Sequence, residues 1–174
     1  ILDLHKTAGY SFDDGEEEDG FFTKPAYQER FYKLWEEFAK RFGSYKDRLA
    51  FELLNEVTDI AYNEEWKRIS GECIRRIRHI CPDIDILVGG YWNNNVRAVK
   101  DLALPVDEHI IYNFHCYDPL NFTHQGATWV SRMSPDYRFS YDHTYQEYYD
   151  DLEKIFGDRF GEMPKVADMN AAFG

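Results

Sequence analysis

Short apolar runs alternate along this chain with longer stretches in which apolar residues return every three or four positions. Residues 1–5, Ile1-Leu2-Asp3-Leu4-His5, read as a strand, and residues 49–54, interrupted only by Glu52, read as a second, buried one. Residues 84–90 and 109–115 supply two more. Between the first two strands, Phe31, Leu34, Trp35, Phe38 and Phe42 share one face of a helix that Gly43 is placed to end. Trp66, Ile69, Cys73, Ile77 and Ile80 mark a second helix, closed by Pro82 because the residue before a proline is driven out of helical backbone. A short helical segment, residues 96–102, leads to the fourth strand.

Strand and helix alternate, and nearly continuous apolar strands indicate a parallel sheet covered by helices. An open doubly wound sheet would carry a glycine-rich phosphate loop after a strand, and none follows here. An eight-fold barrel instead ends its strands in polar side chains at one lip, as do His5, Asn55-Glu56, Trp92-Asn93 and His115 with Tyr117. The fold class is therefore α/β, a partial (β/α)8 barrel. Residues 1–117 form its central part. Residues 118–164, rich in Tyr, Asp, Ser and His, are too long for a structureless loop and read as an inserted subdomain over the lip, with helix near residues 146–156. Residues 165–174 read as the entry to a further helix. The chain begins inside a strand, without methionine or leader, which reads as a piece of something longer.

At 174 residues the chain can bury one sizeable core, and its net charge of −12 argues against nucleic acid or an anionic membrane as partner. No stretch approaches the roughly 18 consecutive apolar residues of a membrane span. A neutral ligand such as a sugar escapes the charge repulsion. Thirteen tyrosines and four tryptophans suit sugar faces, but equally an aromatic core. Cys73, Cys81 and Cys116 have neither metal-ligand spacing nor the makings of a disulfide framework. The carboxylate run of residues 16–19 lacks the spacing of a cation loop and reads as a solvated surface.

Glu56, at a strand's C-terminal end, can give and take a proton, and Asn55 can donate its amide to a ligand hydroxyl. Glu52 shares its strand parity and should also face the barrel interior, where it needs a hydrogen-bonding or cationic partner, a structural role. His115 and Tyr117 stand two apart, so they should face the same cleft and could bind a sugar ring or hold a carboxylate; a satisfied interior histidine is the bland alternative. His5 occupies the matching position on the first strand. His5, Glu56 and His115 also suggest a divalent-metal hydrolase, against which stands the absence of paired-histidine spacing. A sugar-binding module without catalysis is a third reading.

Four motifs, Asp3-Leu4-His5-Lys6-Thr7-Ala8-Gly9-Tyr10, Phe51-Glu52-Leu53-Leu54-Asn55-Glu56, Tyr112-Asn113-Phe114-His115-Cys116-Tyr117 and Phe122-Thr123-His124-Gln125-Gly126-Ala127-Thr128-Trp129, resemble glycoside hydrolase family five. The likeness is to bacterial endo-β-1,4-glucanases with a subdomain inserted after barrel strand six. It implies that these strands are barrel strands three to six, that Glu56 is the general acid/base and Asn55 its hydrogen-bonding neighbour, and that His5, His115 and Tyr117 serve the substrate subsites. Trp92, Asn93 and Trp129 are implied to contact glucan. No metal or cofactor is expected, the partner being a β-glucan or related polysaccharide such as mannan or mixed-linkage glucan. The resemblance further implies a retaining mechanism with two carboxyl groups about 5 Å apart. The family's nucleophile lies in a segment like Gly-Glu-Phe-Gly, which this sequence lacks; Ala171-Ala172-Phe173-Gly174 looks like that motif with its glutamate replaced, but Met169 to Gly174 is read as the opening of the helix before strand seven. Four strands leave two open edges, so a missing barrel half or self-association is expected, with the piece inactive alone. The compartment, extracellular or cytoplasmic in a bacterium, stays open.

Overall fold

The structure, a computed structural model, describes residues 1–11, 20–117 and 120–157. The carboxylate run at 16–19 and the segment from 158 onward, including the helix entry read at 165–174, lie outside the described residues. The chain divides into two compact units, Ile1–Cys116 and Tyr117–Gly174.

The first unit holds four parallel strands, β1 (Leu2–Asp3), β2 (Ala50–Glu52), β3 (Asp85–Val88) and β4 (Ile110–Tyr112), paired in chain order. Helix α1 (Pro25–Phe42) joins β1 to β2, and α2 (Asn63–Ile80) joins β2 to β3. A one-turn segment α3 (Tyr91–Asn94) and a 3-10 turn (Val96–Asp101) lead to β4. Order and connection are those of consecutive strands in an α/β barrel. The regular ladders are shorter than the apolar runs. Single hydrogen bonds extend them at their upper ends, from Leu4 N to Glu52 O at 3.2 Å and from Leu53 N to Leu87 O at 3.3 Å.

Register sorts the strand residues onto two faces. Phe51 pairs with Leu2 and Ile86, and Ile86 with Ile110; all four join the cluster formed with Phe31, Trp35, Ile69 and Ile77 from the helices. The helix periodicity is thus explained, with two corrections. Leu34 and Phe42 stand about a third exposed, because the buried stripe of α1 turns instead through Gln28, Phe31, Tyr32, Trp35 and Ala39. Leu34 instead borders an open hollow beside Lys6, Thr7 and Ala8. Cys81, extended before Pro82, ends α2 as the sequence requires.

The two helices are also joined across their outer surfaces. Arg76 on α2 makes a paired bond to Glu29 of α1 at 2.9 and 3.1 Å, reaches Glu72 at 2.7 Å and lies 4.5 Å over the Tyr32 ring. Arg75 and Arg76 together hold the Glu72 carboxyl down at about 2.

On the opposite sheet face the register aligns Asp3, Glu52, Leu87 and Ile111. Glu52 is buried and its Oε1 accepts from Asn113 Nδ2 at 2.6 Å, the partner that its position demanded. Burial raises the Glu52 carboxyl above its ordinary value, against the lowering influence of that amide.

The second unit is small. Helix α5 (Tyr145–Phe156) opens with a reciprocal cap, Thr144 and Glu147 each bonding the other's backbone, and lies within the segment where helix was expected. It packs Leu152 and Phe156 against Met133, with Leu120 of the short α4 (Leu120–Thr123) at the edge. Asn121, fully buried, donates to Tyr148 O at 3.0 Å, and Tyr137 donates to Asp151 at 2.5 Å.

Two stability measurements follow from these contacts. Arg76→Met should cost about 1 kcal/mol at pH 7, because the network is only partly buried, with Arg76 23% and Glu29 42% exposed, and is screened. A depressed carboxyl stabilises the fold above its unfolded value of about 4.3 and loses that contribution as pH falls through the folded value. The deficit of Arg76→Met in urea denaturation should therefore shrink between pH 5 and about 2; a pH-independent deficit would contradict the network. Glu52 has the opposite sign: a raised folded value means that its ionised form opposes folding at neutral pH. Glu52→Gln should raise the urea midpoint at pH 7, with the gain disappearing once acid protonates the wild-type carboxyl.

Candidate active site

Beyond β2 the chain turns, and Glu56 emerges where β4 and α3 also end. Its side chain is 12% exposed. Glu56 Oε1 lies 2.8 Å from His115 Nδ1, and Oε2 accepts from Asn93 Nδ2 at 2.9 Å. Strand alternation explains His115: positions 111, 113 and 115 share one face, and of the roles the sequence left open to this imidazole, the structure shows a contact with a carboxyl, that of Glu56. An imidazole and a carboxyl so placed can pass one proton between them, which is acid and base equipment.

Backbone contacts fix the three loop ends. His115 pairs with Asn95 in a parallel bridge and donates its N–H to Asn94 O at 2.8 Å. Asn93 N donates to Val57 O at 2.9 Å, directly after Glu56. Tyr10, buried, donates its hydroxyl to Glu56 O at 2.8 Å and accepts from Thr58 N at 2.8 Å. Burial raises the Tyr10 phenol, so it stays a neutral donor. Trp35 Nε1 donates to Leu53 O and Trp66 Nε1 to Gly89 O, which ties both helices to the strand ends that carry the site.

Asn55 is buried beside Glu56, its N–H bonded to Leu4 O at 3.0 Å. His5 is exposed at the end of β1 and bonds the Asp3 carboxylate through Nδ1. Trp92 stands 47% exposed, edge-on to Tyr91. Asn93, read from the sequence as a substrate contact, has its amide on Glu56. Tyr117 and Trp129 belong to the second unit. There the Tyr117 ring meets His124 edge-on at 4.8 Å and Trp129 is 79% exposed. β4 ends at Tyr112, so strand parity carries as far as His115 and no longer governs Tyr117. Among the described residues no group of three or more His, Cys, Asp or Glu is placed to hold a metal ion.

Tyr10, Asn94 and Asn113 were not singled out by the sequence. Asn113 had a signal, since it shares the parity of His115 on the same strand. Tyr10 stands in the first of the four motifs, but no periodicity relates it to Glu56, which it reaches across 46 positions of chain.

The chain is similar to known proteins over most of its length. Cellodextrinase A of Ruminococcus flavefaciens is 53% identical over 154 residues, covering 87% of this chain and 46% of that protein. Endoglucanase C of Acetivibrio thermocellus is 39% identical over 129 residues, covering 74% of this chain and 37% of that protein. The chain thus spans less than half the length of these curated relatives. Structures of Thermotoga maritima Cel5A in complex with cellobiose and with mannotriose are similar at TM-scores of 0.61, with 27% and 26% identity, over 85% of this chain and 50% of that one. The family model for cellulase, glycosyl hydrolase family 5, matches residues 1–161. That match covers most of the chain, which therefore belongs to the cellulase family of glycoside hydrolases and has the fold of a partial (β/α)8 barrel.

Proposed function

We propose that the enzyme to which this chain contributes cleaves β-1,4-glucan with retention of configuration, Glu56 acting as general acid and then general base. The observation that carries the reading is the nearly buried Glu56 carboxyl, held at 2.8 Å by His115 at the C-terminal ends of parallel strands. In the first half, Glu56 gives its proton to the glycosidic oxygen as the C1–O bond breaks, and a carboxylate nucleophile bonds C1. In the second, Glu56 takes a proton from water as the water oxygen bonds C1 and the nucleophile leaves, so two inversions restore the configuration. The nucleophile has no counterpart among this chain's motifs, and we assign it to sequence outside the chain, which alone is inactive.

Asn55, His5, His115 and Tyr117 are assigned to the sugar subsites, and Trp92 and Trp129 offer exposed indole faces suited to pyranose rings. Residues 118–164 are assigned as a subdomain inserted in the sequence after barrel strand six. The names of the two relatives favour glucan, and the mannotriose complex of the Thermotoga maritima protein supports β-mannan as a second substrate.

In a full-length enzyme carrying this segment, Glu56→Gln should lower turnover of unactivated glucan by about 10²-fold or more while cello-oligosaccharide still binds in calorimetry. Undiminished hydrolysis would remove Glu56 from the role. Loss of activity with chelator, restored by zinc or manganese, would point to metal chemistry instead. The first-formed anomer, read by proton NMR, should be the β form.

A further inference from the structure

Three consecutive residues other than glycine, Trp92, Asn93 and Asn94, have left-handed backbone, with φ of 54°, 55° and 60°. Asparagine tolerates that region; an aromatic residue there costs on the order of 1 kcal/mol or more. Asn94 organises the turn. It is fully buried, and its Oδ1 accepts from Gly90 N at 3.1 Å while its carbonyl accepts from His115 N at 2.8 Å. Its side chain lies so close to Gly89 that a Cβ there would stand 2.1 Å from Oδ1, so that glycine is required by contact. Yet Asn94 Nδ2 is buried with no hydrogen-bond partner among the described residues, an arrangement that typically costs about 1–3 kcal/mol.

Strain at Trp92 and an unsatisfied amide at Asn94 are poor choices for stability alone. What the turn achieves is to set Asn93 Nδ2 2.9 Å from Glu56 Oε2, on the oxygen that His115 does not hold. We propose that residues 92–94 position the acid: Asn93 tethers one oxygen of Glu56, His115 meets the other, and Asn94 shapes the turn that delivers Asn93. The inference rests on the reading of Glu56 as acid and base.

The physical reason is torsional. The terminal torsion of a glutamate is broad and nearly free, so a carboxyl bonded at one oxygen still swings. Tethers on both oxygens fix its plane and so the direction in which a proton leaves it. Asn93 suits this because an amide neither gives up nor takes a proton near neutral pH, and so does not compete for the one being transferred. Asn93 is then a positioning residue, and oligosaccharide affinity should not depend on it.

The test separates proton donation from everything else. In a full-length enzyme carrying this segment, kcat/KM is measured for phenyl β-cellobioside, whose leaving group needs a proton, and for 2,4-dinitrophenyl β-cellobioside, whose leaving group departs without one. Asn93→Ala alters an exposed side chain, at a cost of about 1 kcal/mol for alanine in left-handed backbone, and should still fold. It should reduce kcat/KM about ten-fold or more on the phenyl substrate and less than about two-fold on the dinitrophenyl substrate, with cellotetraose affinity unchanged. Asn94→Gly, which keeps the left-handed backbone and deletes the anchoring amide, should reproduce that pattern. Equal losses on both substrates, weakened oligosaccharide binding alone, or no loss in either variant overturn the proposal. Glu56→Gln is the control. If it spares the phenyl substrate the acid/base reading fails, and if it silences that substrate while Asn93→Ala does not, only the positioning role fails.

Discussion

Parallel register among β2, β3 and β4 is the constraint on which the site depends. Packing against the helices forces Phe51, Ile86 and Ile110 to one face, and the pleat then sends Glu52, Leu87 and Ile111 to the other. A slip of one residue would exchange the faces, burying charge against Trp35 and turning Phe51 outward. With the register fixed, the next two positions of that parity beyond β4 are Asn113 and His115, and each meets a glutamate of the second strand segment. Asn113 meets Glu52 at 2.6 Å and His115 meets Glu56 at 2.8 Å. Two residues of the β4 segment answer four of the β2 segment, because past Leu53, whose N–H still reaches Leu87 O, the β2 segment leaves its pairing with β3 and curves. That curvature sets Glu56 beside the imidazole.

Much of this was legible because it follows from hydrophobic period. The strand and helix order, the helix ends at Gly43 and Cys81, and the inward face of Glu52 all express which side of an element is apolar. Glu56 and His115 were identified from their place at strand ends, and they do meet. What was hidden falls into two kinds. One is how far packing extends around a helix, which left Leu34 and Phe42 partly exposed despite their periodic positions. The other is backbone that departs from regular structure: Asn93-Asn94 is a signal for left-handed turns, but nothing in the identity of Trp92 announces it. The contact of Asn93 with Glu56 could not be read without that turn.

The two carboxyls on one sheet face show how environment separates roles. Glu52 sits lower, meets the Asn113 amide and is raised by desolvation, an arrangement that holds a structure together at some cost in stability at neutral pH. Glu56 meets a donor-only amide on one oxygen and a group that can exchange protons on the other. Chemistry that moves a proton needs the second arrangement. Of the described side chains that meet these two carboxyls, the histidine is the one that can accept a proton and return it near neutral pH.

The aromatic residues divide along the same line. A parallel ladder that stops leaves carbonyls without strand partners, and buried backbone acceptors must be satisfied. Here aromatic donors take over: Trp35 Nε1 on Leu53 O, Trp66 Nε1 on Gly89 O and Tyr10 hydroxyl on Glu56 O. Each ring is buried in the core while its polar atom reaches a strand end, which is how flat side chains with one polar tip serve best. High aromatic content is therefore accounted for in part by the scaffold, and it cannot by itself argue for a sugar ligand. Trp92 and Trp129 are different. They keep much of their indole surface in solvent, and among the described residues neither gives its ring N–H to a strand end as Trp35 and Trp66 do, so the demand that buries those two does not account for them.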